Sequence, residues 1–424
     1  MKIAKSNRGK ILFCTMQYGA GYAQGTEKYL KNLTSELTKM GYECIIAAGN
    51  PKNRSTSIKH NKDSEIPHIE LPTYGWTTLL GGNISSYEQL LKEVAPDFVH
   101  MANPAHIGIN VLEAARKLKI PYFITATDFW WMCPKHTLTL PTLSFCNGFR
   151  DSESCRNCIV QTHPNKAVKK MFSARPTRAI STIGLRLVNH LRGYAPSHWE
   201  NRNRILYSVL SSAKCVICLS RTGQKKLTDF FNLKNTIYLP AGLSSDWFQE
   251  KDTKERRSKH VLGYLGAIAP HKGLHTLTAA IRSLPKEVEL VVAGPIADKE
   301  YFRDSIRGID NLRYVGAINE KSAVKFMDSL DLLVLPSNSP ENQPQVLLEA
   351  IARKIPVVSS STPGCAEILN ESSLFTTNDS SRLAERILKF LDHPEYFFHT
   401  SKVLSVEEMA RETTELYLAR HTAT

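Results

Sequence analysis

A short apolar run, a turn and an amphipathic segment recur in that order on both sides of residue 240, and this rhythm limits the fold more than any other feature. Parallel strands covered on both faces read as unbroken apolar runs, and the helices that cross between them read with helical spacing. In the first half, 11–16, 42–48, 98–101, 122–126 and 215–219 read as strands, with helices over 26–40 and 109–118. In the second half the strands are 261–265, 288–293, 312–315, 332–335 and 356–359. The expected class is α/β, with two doubly wound parallel sheets in separate domains. We place the first domain at 1–240, with an insertion at about 133–206, and the second at 260–395. The closing segment is 396–424. The polar link from about 242 to 259 shows no apolar periodicity and reads as the hinge.

A chain of 424 residues, 42% hydrophobic and 22% charged, has room for two or three domains of ordinary size. No run approaches the roughly 18 apolar residues of a membrane span, and the first residues lack the apolar stretch of a secretory signal. The expectation is a cytoplasmic protein. The net charge of +14 favours anionic partners. Between His163 and Leu206 stand nine Lys or Arg, among them Lys166, Lys169, Lys170, Arg175 and Arg178, against the single acid Glu200.

Doubly wound sheets bind ligands beyond the carboxyl ends of their strands, where helix N-termini present unpaired amides. The loop from Tyr18 to Glu27 contains Gly19, Gly21 and Gly25 without dinucleotide spacing, and reads equally as a phosphate loop or a flexible turn. Gly266 to Gly273 follows a strand and opens a helix, placing Lys272 where an anion would sit. Further on, Pro344 suits the first turn of a helix, so Glu341 falls before it and Glu349 one to two turns inside. Val346, Leu347, Ala350 and Ile351 then form the buried face, and the amides of Gln345 and Val346 lack intrahelical acceptors.

The stretch PENQPQVLLEAIARKIPVV, with its two glutamates separated by seven residues, resembles the retaining GT-B glycosyltransferases of the family 4-like, group 1 type. GAIAPHKG, VVAGP, VGAI, SSSTPGCAEIL, GTEKYLKNL and TDFWWMCP join the resemblance, which covers nearly the whole chain. It implies two Rossmann-like domains facing across a cleft, a nucleotide-sugar donor held mainly by the second and a hydroxyl acceptor mainly by the first. Glu349 would bind the donor ribose, Lys272 the diphosphate, and Glu341 the transferred sugar or the charge beside it. Gly25 and Gly266 would let backbone approach the phosphates. Gly294 and Gly316 would border the base, and Gln343 would help select the donor. Residues 405–420 would be the helix that recrosses to the first domain.

Two positions depart from the pattern. Ala267 stands where relatives often carry Arg, so another cation such as His271 or Arg353 would act with Lys272; Thr127 precedes Asp128 where relatives often carry His. His100, His106 and His136 read as structural or solvent-facing. Asp128 is the candidate for positioning the acceptor hydroxyl, with a turn-capping role as its competitor. Cations and amides suffice to stabilise a departing diphosphate, so no catalytic metal or other catalytic cofactor is expected. The donor would be a UDP-, GDP- or ADP-sugar, and the acceptor a glycan or lipid-linked intermediate of cell-surface polysaccharide synthesis. Other readings are a nucleotide-sugar epimerase or phosphorylase, and a non-catalytic polyanion-binding protein. A dehydrogenase is disfavoured for want of a Gly-x-Gly-x-x-Gly turn, and nucleic acid is not an expected partner.

Two features of the insertion stand apart. Cys133, Cys146, Cys155 and Cys158 end in a Cys-x-x-Cys pair and read as a structural zinc site, with free thiols and a labile disulfide as alternatives. The basic segment, with Ile180, Ile183, Leu185, Leu187, Val188 and Leu191, reads either as a helix docking on an anionic membrane at the inner face or as core packing with solvated charges.

Overall fold

The computed structural model describes residues 8–19, 24–51, 57–61, 68–75, 78–142, 144–148, 151–162, 196–250 and 259–421. The basic segment up to residue 195, part of the first glycine loop and most of the charged link lie outside these residues. The chain divides into two units. The first comprises Met1–Leu219, Gly223–Leu239 and Ala410–Thr424, and the second Ser220–Thr222 and Pro240–Met409.

In the first unit the order is β1 (Lys10–Thr15), α1 (Gly25–Lys39), β2 (Glu43–Ala48), β3 (Lys59–Asn61), β4 (His68–Glu70), α2 (Ile84–Val94), β5 (Phe98–Met101), α3 (Asn110–Lys117) and β6 (Tyr122–Ala126). It continues with α4 (Ser152–Gln161), α5 (Pro196–Ser212), β7 (Cys215–Cys218), α6 (Arg221–Phe231) and β8 (Thr236–Tyr238). The sheet runs β3-β4-β2-β1-β5-β6-β7-β8 and is parallel except for the β3–β4 pair. Ile11 pairs with Cys44 on one side and Phe98 on the other, so the winding reverses between β1 and β5. Inward residues such as Leu12, Val99 and Ile124 pack with Trp130 and Trp131 in one cluster. At the entry to α1, the Gln24 amide donates to the Glu27 carboxylate at 2.9 Å, and Gly41, at φ 97°, lets the chain turn away after the helix.

The second unit contains β9 (His260–Leu265), α7 (Leu274–Ile281), β10 (Val288–Ala293), α8 (Lys299–Ile306), β11 (Leu312–Tyr314), α9 (Glu320–Asp328) and β12 (Leu332–Leu335). After these come α10 (Gln345–Ala352), β13 (Val357–Ser360), α11 (Pro363–Ala366), β14 (Leu374–Phe375), α12 (Ser380–Asp392) and α13 (Val406–His421), whose later part belongs to the first unit. The all-parallel sheet runs β11-β10-β9-β12-β13-β14, so its winding reverses between β9 and β12. Side chains alternate between two cores. Val291 and Leu333 join Leu347 and Ile351 on one face, while Leu290, Val292 and Val334 join Leu277 and Leu383 on the other. Burial of both faces is the reason these strands read as apolar runs.

Four strands were not expected. β3, β4, β8 and β14 hold two or three residues each and carry too little apolar periodicity to stand out. Pro344 is the N-cap of α10 rather than its first helical residue, and Gln345 begins the helix. Val346 is only partly buried, and Leu348, at 5% exposure, takes its place on the buried face. No helix among the described residues is long and apolar enough to cross a membrane.

Candidate active site

At the reversal point of the second sheet, the loops after β9 and β12 meet. Lys272 lies in a single 3-10 turn, Pro270–Lys272, that precedes α7, and Gly273 joins the two at φ 74°. That conformation and a close approach both require glycine, since an added Cβ would lie 1.8 Å from the Pro336 carbonyl oxygen. The Lys272 ammonium donates to Glu341 Oε1 at 2.7 Å, and the Ser337 hydroxyl donates to the same oxygen at 2.7 Å. Burial opposes ionisation of Glu341. The Lys272 charge, the hydrogen bonds from Lys272 and Ser337, and the His271 charge outweigh it and hold the carboxyl below the usual range. The Gly364 amide donates to the Glu341 carbonyl at 2.9 Å, and an added Cβ at Gly364 would press on that loop at 2.6 Å.

The glycines after β9, β10 and β11 form a backbone ladder. Gly266 donates to Ala293 O at 3.0 Å and Gly294 to Gly316 O at 2.8 Å. A Cβ at Gly294 would lie 1.9 Å from Gly266 O, whereas the space above Gly266 and Gly316 is open. Tyr264 donates to Ala267 O at 2.9 Å and steadies the same loop.

The remaining expected donor-site residues are placed as follows. Glu349 is 1% exposed, inside α10. Gln343 accepts the Ala241 amide at 2.8 Å through its side-chain carbonyl, so that oxygen holds the chain after β8. Gln345 and Val346 open α10. Gly25 opens α1 with nothing within 4 Å of an added Cβ. Arg353 does not join Lys272: it is buried and bonds Asp328 through two nitrogens, at 2.8 and 2.6 Å, and the Gln249 carbonyl through a third. Its guanidinium faces an acid of α9, which removes it as a partner for a diphosphate.

In the first unit Asp128 follows β6. One oxygen accepts the Trp130 amide at 2.8 Å, which is the turn-capping role, and the other accepts from Asn103 at 2.8 Å. His136 Nδ1 lies 3.8 Å from that second oxygen, so this histidine does stand beside Asp128. His100 is wholly buried and His106 faces the Tyr74 carbonyl at 3.1 Å. Thr26, at the start of α1, donates to Thr127 at 3.0 Å, and Glu27 is 4% exposed with its carboxyl raised by burial.

Sequence reasoning missed Ser337, Asn338, Gly364, Asn103 and Glu27. Asn338 is fully buried beside the Lys272 turn, its amide donating to His271 O at 2.8 Å, and neither polar side-chain atom has a partner among the described residues. The available signal was position: Asn103 and the Ser337–Asn338 pair directly follow strands that flank a reversal point.

The four insertion cysteines line one cavity of about 50 Å³. All nine cysteines lie among the described residues and none is disulfide-bonded. Among the described residues no group of three His, Cys, Asp or Glu stands ready to hold a metal ion.

Two Rossmann-like units, with the charged and glycine-lined loops of the second at its reversal point, define the GT-B class of glycosyltransferases. Within that class, residues 245–402 match the family model described as "Glycosyl transferases group 1", and residues 23–149 match "Glycosyltransferase Family 4". The two matches, over separate parts of the chain, support a glycosyltransferase of GT-B type. It is 28% identical over 210 residues to a putative teichuronic acid biosynthesis glycosyltransferase, TuaC, of Bacillus subtilis, covering 46% of this chain and 51% of that protein. The match thus spans about half the length of that relative. A GDP-mannose-dependent alpha-mannosyltransferase of Corynebacterium glutamicum is 20% identical over 358 residues, 82% of this chain and 71% of that protein. Among solved structures, Anabaena HepE in complex with UDP superposes with a TM-score of 0.65 at 15% identity, covering 97% of this chain and 100% of that one. WaaG, a glycosyltransferase involved in lipopolysaccharide biosynthesis, does so at 0.58 and 16% identity, over 97% and 98% of the two chains.

Proposed function

We propose that the protein transfers a hexosyl group from a nucleotide-sugar donor to a hydroxyl of a glycan or lipid-linked acceptor, with retention at the anomeric carbon. The observation that carries this reading is the Lys272–Glu341 pair at 2.7 Å at the reversal point of the second sheet, beside the open backbone of Gly266. Departure of a nucleoside diphosphate concentrates negative charge on its phosphates. A lysine fixed by a carboxylate meets that charge without first being reorganised.

Lys272 then stabilises the leaving diphosphate, and Glu341 orients the lysine and faces the transferred sugar. Gly25, Gly266 and the amides of Gln345 and Val346 admit the phosphates. Gly294 and Gly316 border the base, Gln343 shapes the donor pocket and Glu349 meets the ribose. Asp128 orients the acceptor hydroxyl, whose proton passes to the leaving phosphate oxygen on the same face of the sugar.

UDP in the HepE complex and GDP-mannose in the name of the Corynebacterium relative support a nucleotide-sugar donor while differing in base. The teichuronic acid relative supports a cell-surface polysaccharide setting. The surplus of Lys and Arg over acid between His163 and Leu206 favours work at the inner, anionic face of a membrane.

A thermal-shift screen of UDP-, GDP- and ADP-sugars, followed by transfer assays and NMR of the product anomer, tests the proposal. One base series should stabilise the protein by about 2.7 kcal/mol at a hundredfold excess over Kd. No stabilisation by any nucleotide, or donor turnover without transfer to an added acceptor, would remove it. The second outcome would favour an epimerase or phosphorylase.

A further inference from the structure

We propose that Cys133, Cys146, Cys155 and Cys158 bind one zinc ion as a tetrathiolate that fixes the irregular segment between β6 and α5. The four residues come from three separate stretches and line the same cavity in the first unit: Cys133 from the turn after β6, Cys146 from beside an isolated bridge, and Cys155 and Cys158 from α4. Tetrahedral sulfur sites of this composition select zinc, or iron in its place.

The sulfurs do not yet form a metal cage. The Cys146 thiol donates to the Gly148 carbonyl at 3.0 Å, and the Cys158 sulfur lies 3.8 Å from the Thr139 carbonyl. Binding turns these side chains from the carbonyls toward the cavity they line, and the thiol protons leave as the metal enters.

The charge around the cavity is the second, independent observation. Arg202 of α5 is 1% exposed, lies over the Trp130 ring at 4.6 Å and donates to the Trp130 and Trp131 carbonyls. Its Nε has no hydrogen-bond partner, and the guanidinium pairs with no carboxylate among the described residues. A buried cation without an anion is costly. Lys135 also lines the cavity, and its ammonium donates to the Thr139 carbonyl at 2.7 Å and lies 3.4 Å from the Cys158 sulfur. Zinc bound by four thiolates carries two net negative charges, and Arg202 and Lys135 supply two positive ones. Such N–H donors are the outer partners that metal-bound thiolates use.

The segment also needs a staple. Between β6 and α4 its described residues form turns and the isolated Thr139–Phe145 bridge but no helix or longer strand, and both His136 and Leu138 have positive φ, at 51° and 47°. A metal would tie this stretch to α4 and keep His136 beside Asp128.

The test uses the full chain, purified without an affinity tag or chelator from zinc-supplemented medium. Metal analysis should find about one zinc per chain. Cobalt-substituted protein should show thiolate charge-transfer and tetrahedral d–d absorption. Cys155→Ser/Cys158→Ser should lose the metal. Because that variant can fail to fold, the wild-type protein is also titrated with a mercurial reagent, which should release the zinc as the four thiols are modified. Less than about a tenth of an equivalent of zinc, iron in its place, or a Cys155–Cys158 disulfide found by mass spectrometry would overturn the assignment.

Discussion

The Lys272 ammonium and the Glu341 carboxylate meet at 2.7 Å although sixty-nine positions separate them, because β9 and β12 are neighbours in the sheet. The pair should act as one unit. Lys272→Ala is expected to lower kcat on the order of a hundredfold, equivalent to about 2.7–4 kcal/mol of transition-state stabilisation. Glu341→Gln should lower it too, and the double variant should fall short of the product of the two effects. Steady-state kcat and donor KM for the three variants decide the matter, and multiplicative losses would show that the two side chains work separately. Since the Glu341 carboxyl is held below its usual range, the pair's contribution to stability is present at neutral pH. It fades only as pH falls from the unfolded carboxyl value of about 4.3 through the folded one.

Two glycines one strand apart should behave oppositely. At Gly294, φ is 138° and a Cβ would lie 1.9 Å from Gly266 O, so Gly294→Ala is expected to destabilise the second unit by about 1–3 kcal/mol. At Gly266 the nearest atom to an added Cβ is 3.9 Å away, so Gly266→Ala should leave stability within about 0.5 kcal/mol of wild type. On the proposed donor site, that methyl would instead enter the space assigned to the phosphates, and nucleotide binding should weaken. Urea unfolding and nucleotide titration of both variants read the difference, and unchanged affinity in Gly266→Ala would argue against phosphate contact there.

Arg353 is 2% exposed at its side chain and bonds Asp328 from α9 through two nitrogens. Removing Arg353 leaves the part-buried Asp328 carboxylate and the Gln249 carbonyl without their donor, so Arg353→Ala should cost about 1–3 kcal/mol of stability. If the residue contacted the donor diphosphate instead, the variant would lose donor affinity at temperatures where it remains folded. Equal nucleotide Kd values for the folded variant and the wild type are expected by titration calorimetry.

The long strands were legible because both faces are buried: after Glu289, residues 290–293 alternate between two cores with no polar residue to break the run. β3 and β8, written Lys-His-Asn and Thr-Ile-Tyr, lie at the sheet margins, where a few mixed residues suffice to pair and leave no periodic trace. In the site, Lys272 and Glu341 could each be picked out by position and resemblance. Their contact could not, because it depends on strand order. Ser337, Asn338 and Gly364 were hidden for a related reason, since each matters through a residue distant in sequence. Arg353 was misjudged from charge alone: Asp328, which claims it, lies on a different helix.

His100 stands in an apolar strand, wholly buried, between the Tyr417 hydroxyl at 2.5 Å and the Thr125 hydroxyl at 2.7 Å, and it stacks on Phe13. Burial pushes its pKa down to about 3, so the ring is neutral in the folded unit throughout the ordinary pH range. An unfolded histidine titrates near 6.5. Between those values the unfolded chain binds a proton that the folded chain refuses, so stability rises with pH and is lost as pH falls below about 6.5. One such group contributes a slope of up to about 1.4 kcal/mol per pH unit. His100→Gln retains a donor and an acceptor but cannot titrate, and should flatten the slope even if it lowers stability at neutral pH. Hydrogen exchange of the β5 and β6 peptides under graded urea, at pH 7.5, 6 and 5 with intrinsic rates corrected, reads the first unit's stability directly. Parallel pH profiles for the variant and the wild type would show that other groups set the acid limit, whereas a flatter variant profile would assign it to this buried ring.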